Sequence, residues 1–381
     1  MQATQIFRKG ARRFAVALAL AAGVLGAGDS RAQVTTSHGI AMHGTPALPP
    51  DLVSQPQVNP DAPKGGRIVL GETGGFDSLN PFSTLGRAPG WITPLTVETL
   101  MARAWDEPFS VYGYLAESVT TDAARSFVQF TLRESARFAN GAPVTVDDVL
   151  WSFEALAKAH PRYAAAWAKV ARAQATGPRT VRFDFIAPDR ELPLILGLRP
   201  VLSRADWQGR DLGASGMMAP LGSGPYRVAA VDPGRSITFE RRADWWAAGL
   251  PLMRGMHNFD TVRVEWFADA GVMFEAFKAG AIDVFRESQA ARWQTGYDFP
   301  RVASGAVVRS EIPHGRPAMM TGLAMNARRA HLGPADGQQD FQRQRLAACI
   351  HPAAIGGHGP ACLLQPAPGA AQARAVGLGP V

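Results

Sequence analysis

The chain has 381 residues, 46% of them apolar and 9% aromatic, enough for a sizeable core and two or three structural units. Its formal charge is +7, yet residues 33–329 hold 31 basic against 29 acidic side chains. The basic residues lie singly between acids, which excludes the concentrated basic face of a nucleic-acid binder.

The N-terminus has the pattern of an export signal. Arg8, Lys9, Arg12 and Arg13 form a positive segment, and Phe14 to Gly28 is an apolar stretch. Ser30-Arg31-Ala32 then places small residues where a signal peptidase reads, so residues 1–32 are expected to be removed before Gln33. The apolar run is shorter than the ~20 residues that cross a bilayer. No Cys follows it to carry a lipid, and Arg12-Arg13-Phe14 only hints at twin-arginine export.

Residues 33–66 are rich in Pro and Gly and are expected to lie extended on a surface. Arg67 to Gly71 reads as the first strand, followed by the turn-like Gly74-Gly75-Phe76-Asp77-Ser78-Leu79-Asn80-Pro81. Val128, Phe130 and Leu132 alternate with polar residues, as in a half-buried strand. Thr145 can cap a helix that begins near Val146, with Asp148 in the capping-box position. Val149, Leu150, Phe153, Leu156 and Ala157 then share one face of that helix. Val181, Phe183 and Phe185 alternate again. Residues 226–241 read as a hairpin around Asp232-Pro233-Gly234. Val262, Val264 and Trp266 make a strand, Val272 to Ala279 a helix stopped by Gly280, and Ala281 to Phe285 a further strand. Strands and helices in this order predict an α/β fold with some parallel pairing.

Near residue 330 the composition shifts. The last 52 residues hold 12 Ala, 8 Gly and 6 Pro, no Lys, no Glu and one aromatic, Phe341. Such a segment buries too little to offset chain entropy, so residues 330–381 are expected to be disordered. The only cysteines, Cys349 and Cys362, fall there.

Signatures of covalent chemistry are missing. GxxxxGK[ST] does not occur, Gly71-Glu72-Thr73-Gly74-Gly75 lacks the GxGxxG order, and Gly222-Ser223-Gly224 lacks the GxSxG spacing of a nucleophile elbow. His38 and His43, five apart, point to different sides of any helix or strand and have no completing carboxylate or Cys, so no metal site is expected. Asp147 and Asp148 fit a helix first turn, where negative charge meets the macrodipole, better than an acid pair.

Four stretches resemble the family 5 extracellular solute-binding proteins. The first is Phe130-Thr131-Leu132-Arg133 with Phe138, Asn140-Gly141, Thr145, Asp148-Val149 and Ser152-Phe153. Next come Pro220-Leu221-Gly222-Ser223-Gly224-Pro225-Tyr226, then Glu240-Arg241 to Trp245-Trp246. The last is Phe274-Glu275-Ala276-Phe277-Lys278-Ala279-Gly280 with Asp283. Their order and spacing give the resemblance its weight, over residues 38–329. Val58-Asn59-Pro60-Asp61-Ala62-Pro63-Lys64-Gly65-Gly66, Asp106-Glu107-Pro108-Phe109 and Asn326-Ala327-Arg328-Arg329 are similar to the Yej-type branch, linked to peptides and to the peptide-nucleotide microcin C.

The resemblance implies a periplasmic-binding-protein-like fold of two lobes around a cleft, with cargo handed to an ABC importer permease in the inner membrane. It implies a peptide or peptide-like ligand, no cofactor and no catalytic residue. In relatives the residues before the Ser-Leu-Asx-Pro turn line the cleft; here these are Gly75, Phe76 and Asp77. Gly75 allows close backbone approach and Phe76 can stack on a ligand, although a plain surface turn with Phe76 in the core is an equal reading. Trp245 and Trp246 are further candidates, with core packing as the alternative. The domain organisation expected is a signal peptide (1–32), a first lobe in two segments (33–89 and 216–329), an insert subdomain (90–215) and an aberrant tail (330–381). The resemblance stops near Arg329, where relatives continue into the second lobe. This predicts a one-walled cleft that binds no peptide tighter than about millimolar, a standard binding free energy of about −4 kcal/mol. A secreted hydrolase and a chaperone-like periplasmic fragment are the alternatives from other classes.

Overall fold

The computed structural model describes residues 34–311. The expected export signal and the expected tail lie outside the described residues. In chain order the strands are β1 (Val34–Ser37), β2 (Gly39–Ala41), β3 (Arg67–Thr73), β4 (Met101–Ala104), β5 (Glu107–Gly113), β6 (Ala116–Asp122), β7 (Phe127–Leu132), β8 (Val170–Gly177), β9 (Thr180–Phe185), β10 (Tyr226–Asp232), β11 (Ser236–Arg241) and β12 (Thr261–Phe267). The helices used below are α1 (Ile92–Thr96), α2 (Val146–Ala159), α3 (Pro161–Trp167), α4 (Leu192–Gly197) and α5 (Ala270–Ala279). Among the described residues no helix is long and apolar enough to cross a membrane.

The chain divides into two units. One comprises Phe76–Val262 with the described residues up to Arg67; the other comprises Ile68–Gly75 with the described residues from Arg263.

The first unit is built on a five-stranded sheet in the order β1-β6-β7-β9-β8, with antiparallel pairing at each step. Alternation in β7 and β9 turns Phe130, Leu132, Val181 and Phe183 inward, where α2 and α4 cover them. Phe153 of α2 stacks on Phe183 with ring centroids 5.2 Å apart, and Trp167 meets both rings edge-on. Each fully buried ring of this kind contributes about 1.5–3 kcal/mol. Arg199, 2% exposed, closes the far end of the same layer by donating to the carbonyls of Phe153 and Tyr163. A three-stranded sheet, β2-β5-β4, has its own cluster of Tyr112, Tyr114, Trp245, Leu252 and Met253. The β10–β11 hairpin turns at Asp232–Arg235, with Gly234 at φ +73°.

α2 begins as its sequence dictates. The Thr145 Oγ1 accepts from the Asp148 amide at 3.2 Å, and Asp148 Oδ2 accepts from the Thr145 amide at 3.0 Å. Asp148 Oδ1 also takes the Arg204 amide at 2.9 Å, so this acid serves the helix start and the loop after α4. Thr145→Ala is expected to cost about 1 kcal/mol and Thr145→Ser much less, read as shifts in urea midpoint.

In the second unit β3 neighbours β12, and α5 packs Phe274 and Phe277 on Val69, Ile282 and Tyr297. Gly280 ends α5 in the left-handed region, φ +82°. The strand expected over Ala281 to Phe285 shrinks to one parallel bridge, Leu70 with Val284. The reason is Asp283: its Oδ2 accepts from the Val69 amide at 2.6 Å while its own amide donates to the Val69 carbonyl at 2.8 Å. A side chain has taken the place of the ladder.

Candidate functional site

The turn 74–82 is held from several sides. Gly74, φ +89°, donates its amide to Phe267 within the second unit, and the partly exposed Gly75 completes that segment. In the first unit, Phe76 is 5% exposed and belongs to the buried side of the turn. Asp77 is exposed; its amide donates to the Arg87 carbonyl and its Oδ1 accepts from the Arg87 amide at 2.5 Å. Ser78, Leu79 and Asn80 are tied to residues 212–216: Asn80 Nδ2 donates to Leu212 and Ala214 at 2.9 and 2.8 Å, and the Leu79 amide donates to Gly216 at 2.7 Å. The Ser-Leu-Asn-Pro signature is thus a brace between two loops, with Phe82 fully buried behind it beside Val97 and Trp207. Beside the brace lies a shallow pocket of about 210 Å³, lined by Asn80, Trp207, Arg210 and the run Ser215–Met218. Arg210 lies 4.1 Å over the Trp207 ring. This pocket is smaller than the roughly 300–1,000 Å³ that encloses a typical small ligand.

The two tryptophans meet elsewhere in the first unit, around one carboxylate. Glu98, 2% exposed, follows α1. Its Oε1 accepts from the Tyr114 hydroxyl at 2.6 Å and from Trp245 Nε1 at 2.8 Å, and its Oε2 accepts from Trp246 Nε1 at 2.8 Å. Trp245 is 7% exposed; Trp246 is half-buried and offers the larger free surface. Burial pushes the Glu98 carboxyl up to about 7, against the opposing pull of hydrogen bonds from Tyr114, Trp245 and Trp246. Burial and the adjacent Glu98 also raise the Tyr114 phenol well above its usual value. Sequence reasoning found the tryptophans and missed Glu98; the signal it offers is one acid inside the run Thr96-Val97-Glu98-Thr99-Leu100.

The other polar candidates have structural duties. His38 Nε2 hydrogen-bonds the Leu48 carbonyl at 2.8 Å. Asp147 and Asp148 occupy the first turn of α2. Among the described residues no three His, Cys, Asp or Glu side chains gather as a metal site would require.

Residues 110–346 match the family described as bacterial extracellular solute-binding proteins, family 5 Middle. The peptidoglycan-binding protein YepA of Agrobacterium fabrum is 42% identical over 328 residues, covering 82% of this chain and 53% of YepA. The probable peptide-binding protein YejA of the same organism is 40% identical over 266 residues, covering 68% of this chain and 43% of YejA. Among solved structures, MoaA of A. tumefaciens R10 in complex with mannopinic acid aligns with a TM-score of 0.57 at 21% identity, covering 77% of this chain and 57% of MoaA. The chain belongs to the family 5 solute-binding proteins. It spans about half the length of the curated relatives it matches.

Proposed function

We propose that this protein is the periplasmic solute-capturing component of an ABC importer, that its ligand is a peptide or peptide-like solute, and that it delivers this ligand to an inner-membrane permease. The observation that carries the reading is the 42% identity to a relative named for peptidoglycan binding, over most of this chain. The relative named as peptide-binding supports the same chemistry, since peptidoglycan carries peptide stems. The reading assigns the chain no covalent chemistry. Ligand contacts are assigned to Gly75, Phe76 and Asp77, and to Trp245 and Trp246. A glycine at 75 lets a ligand main chain come close, and Asp77 offers an exposed carboxylate to a ligand N–H.

Calorimetric titration with short peptides tests this. Short peptides at millimolar concentrations are expected to give weak saturable heat, no tighter than about millimolar, and free sugars none. Asp77→Ala is expected to weaken the peptide complex about tenfold, the loss of one hydrogen bond to a charged group. Heat from sugars and none from peptides would overturn the peptide reading.

A further inference from the structure

The carboxylate at the centre of the tryptophan pair has an unusual partner set. It is fully buried, and among the described residues no cation bonds either oxygen. Its hydrogen-bond partners are three neutral donors carried by two separate segments: Tyr114 after β5, and the 245–246 turn. A buried carboxylate ordinarily has a cation to offset lost hydration. Here three neutral donors do that work alone.

Both protonation states have a place in this arrangement. The ionised form accepts from all three donors. The protonated form must donate one O–H, and the Tyr114 hydroxyl can rotate to accept it, whereas the indoles can only donate. Ionisation therefore strengthens the two indole bonds by making them charge-assisted, while burial makes the charge itself costly.

We propose that Glu98 is a proton-operated clamp, whose protonation state sets how firmly the Trp245 and Trp246 indoles are held and how stable the first unit is. The inference concerns the fold of this unit and stands whether or not the tryptophans touch ligand.

The surrounding charges leave Glu98 as the group that titrates. Arg242 lies behind Ser223, donating to the Ser223 and Gly224 carbonyls and pairing with Asp244. Arg133 donates to the Tyr114 carbonyl. The segment that pairs through the Glu98 carbonyl, by the Val201 amide, carries Arg199, which points to Phe153 and Tyr163. His257 meets the Trp245 ring edge-on at 5.2 Å, and burial, with Lys64 nearby, pushes it down to about 4, so it stays neutral near pH 7.

The sign follows from linkage. The folded carboxyl titrates near 7 and the unfolded one near 4.5, so between these values the folded state binds more protons. Stability from this group is full below about pH 4.5 and lost as pH rises through 7, while the indole bonds strengthen over the same rise. The two effects have opposite directions, which a merely structural glutamate would not show.

The experiment follows both on the full chain. Two indole N–H signals in nitrogen-15 spectra, assigned by their loss in Trp245→Phe and Trp246→Phe, are expected to move downfield together with a midpoint near pH 7. In urea denaturation, the folded-to-unfolded ratio of wild type relative to Glu98→Gln is expected to fall about a hundredfold from pH 4.5 to 7.5. Gln is destabilising at every pH, because its amide faces donors, so the pH dependence of the ratio is the readout. Should Glu98→Gln not fold, the indole titration of wild type decides alone. Indole signals that move only below pH 5, or do not move, would overturn the proposal, as would parallel stability profiles for the two proteins.

Discussion

Gly222→Ala is expected to abolish folding of the first unit. A Cβ built on Gly222 would sit 1.6 Å from the Thr96 carbonyl oxygen and 2.5 Å from its carbon. The obstacle is backbone, so no rotamer relieves it. Neither can the two segments draw apart cheaply. The Gly224 amide donates to that same Thr96 oxygen at 2.9 Å, and the Ala139 amide donates to Gly222 at 2.8 Å. Gly224 is also confined, though less severely, since a Cβ there would lie 2.7 Å from the Thr96 carbon. The glycines of Gly222-Ser223-Gly224 serve close approach to the Thr96 backbone. The expected loss exceeds about 4 kcal/mol, at the extreme of single-substitution effects. Gly249→Ala, where an added methyl meets nothing within 4 Å, is the control and is expected to change stability by less than about 0.5 kcal/mol. Soluble yield and urea midpoints of both variants check this; a folded Gly222→Ala with a near-native midpoint would contradict it.

Arg199→Ala is expected to cost about 3–5 kcal/mol. The guanidinium donates to the Phe153 carbonyl at 3.2 Å and to the Tyr163 carbonyl at 2.6 Å. It also lies 5.1 Å from the Phe153 ring centroid, 5.4 Å from Tyr163 and 5.8 Å from Trp167. Burial lowers its pKa to about 10, which leaves it charged at neutral pH. Truncation removes both of these hydrogen bonds and the ring contacts, and opens a cavity between α2 and α3. Arg199→Lys keeps the charge but loses the planar fork and the ring stacking, so it is expected to fall between wild type and alanine. Urea denaturation at pH 7 measures both; a loss below about 1 kcal/mol for alanine would contradict the argument.

Where local pattern decides structure, the sequence was readable. β7 and β9 alternate because one face meets α2. α2 announces itself through Thr145 and Asp148, and the β10–β11 hairpin through Pro233-Gly234. β8 was not read: Ala171, Ala173 and Ala175 alternate with Arg172, Gln174 and Thr176, but alanine is a strong helix former and a weak strand signal, and pairing with β9 makes the segment a strand. Ala281 to Phe285 misled because nothing local shows that the Asp283 side chain takes the Val69 amide. Turn residues 75–77 were legible only through family resemblance. Glu98 was invisible for a clear reason: its partners stand 16, 147 and 148 residues away, and no window of sequence contains them.

Under the proposed function, peptides bind at residues 75–77 and at the tryptophan pair. Nitrogen-15 shift mapping of the 381-residue chain with short peptides tests it most directly. At peptide concentrations up to ~10 mM it detects binding free energies as weak as about −3 kcal/mol. Saturable shifts are expected at the amides of Gly75, Phe76 and Asp77 and at the Trp246 indole, lost for Asp77 contacts in Asp77→Ala. Shifts confined to other surfaces, or none across that range, would contradict it.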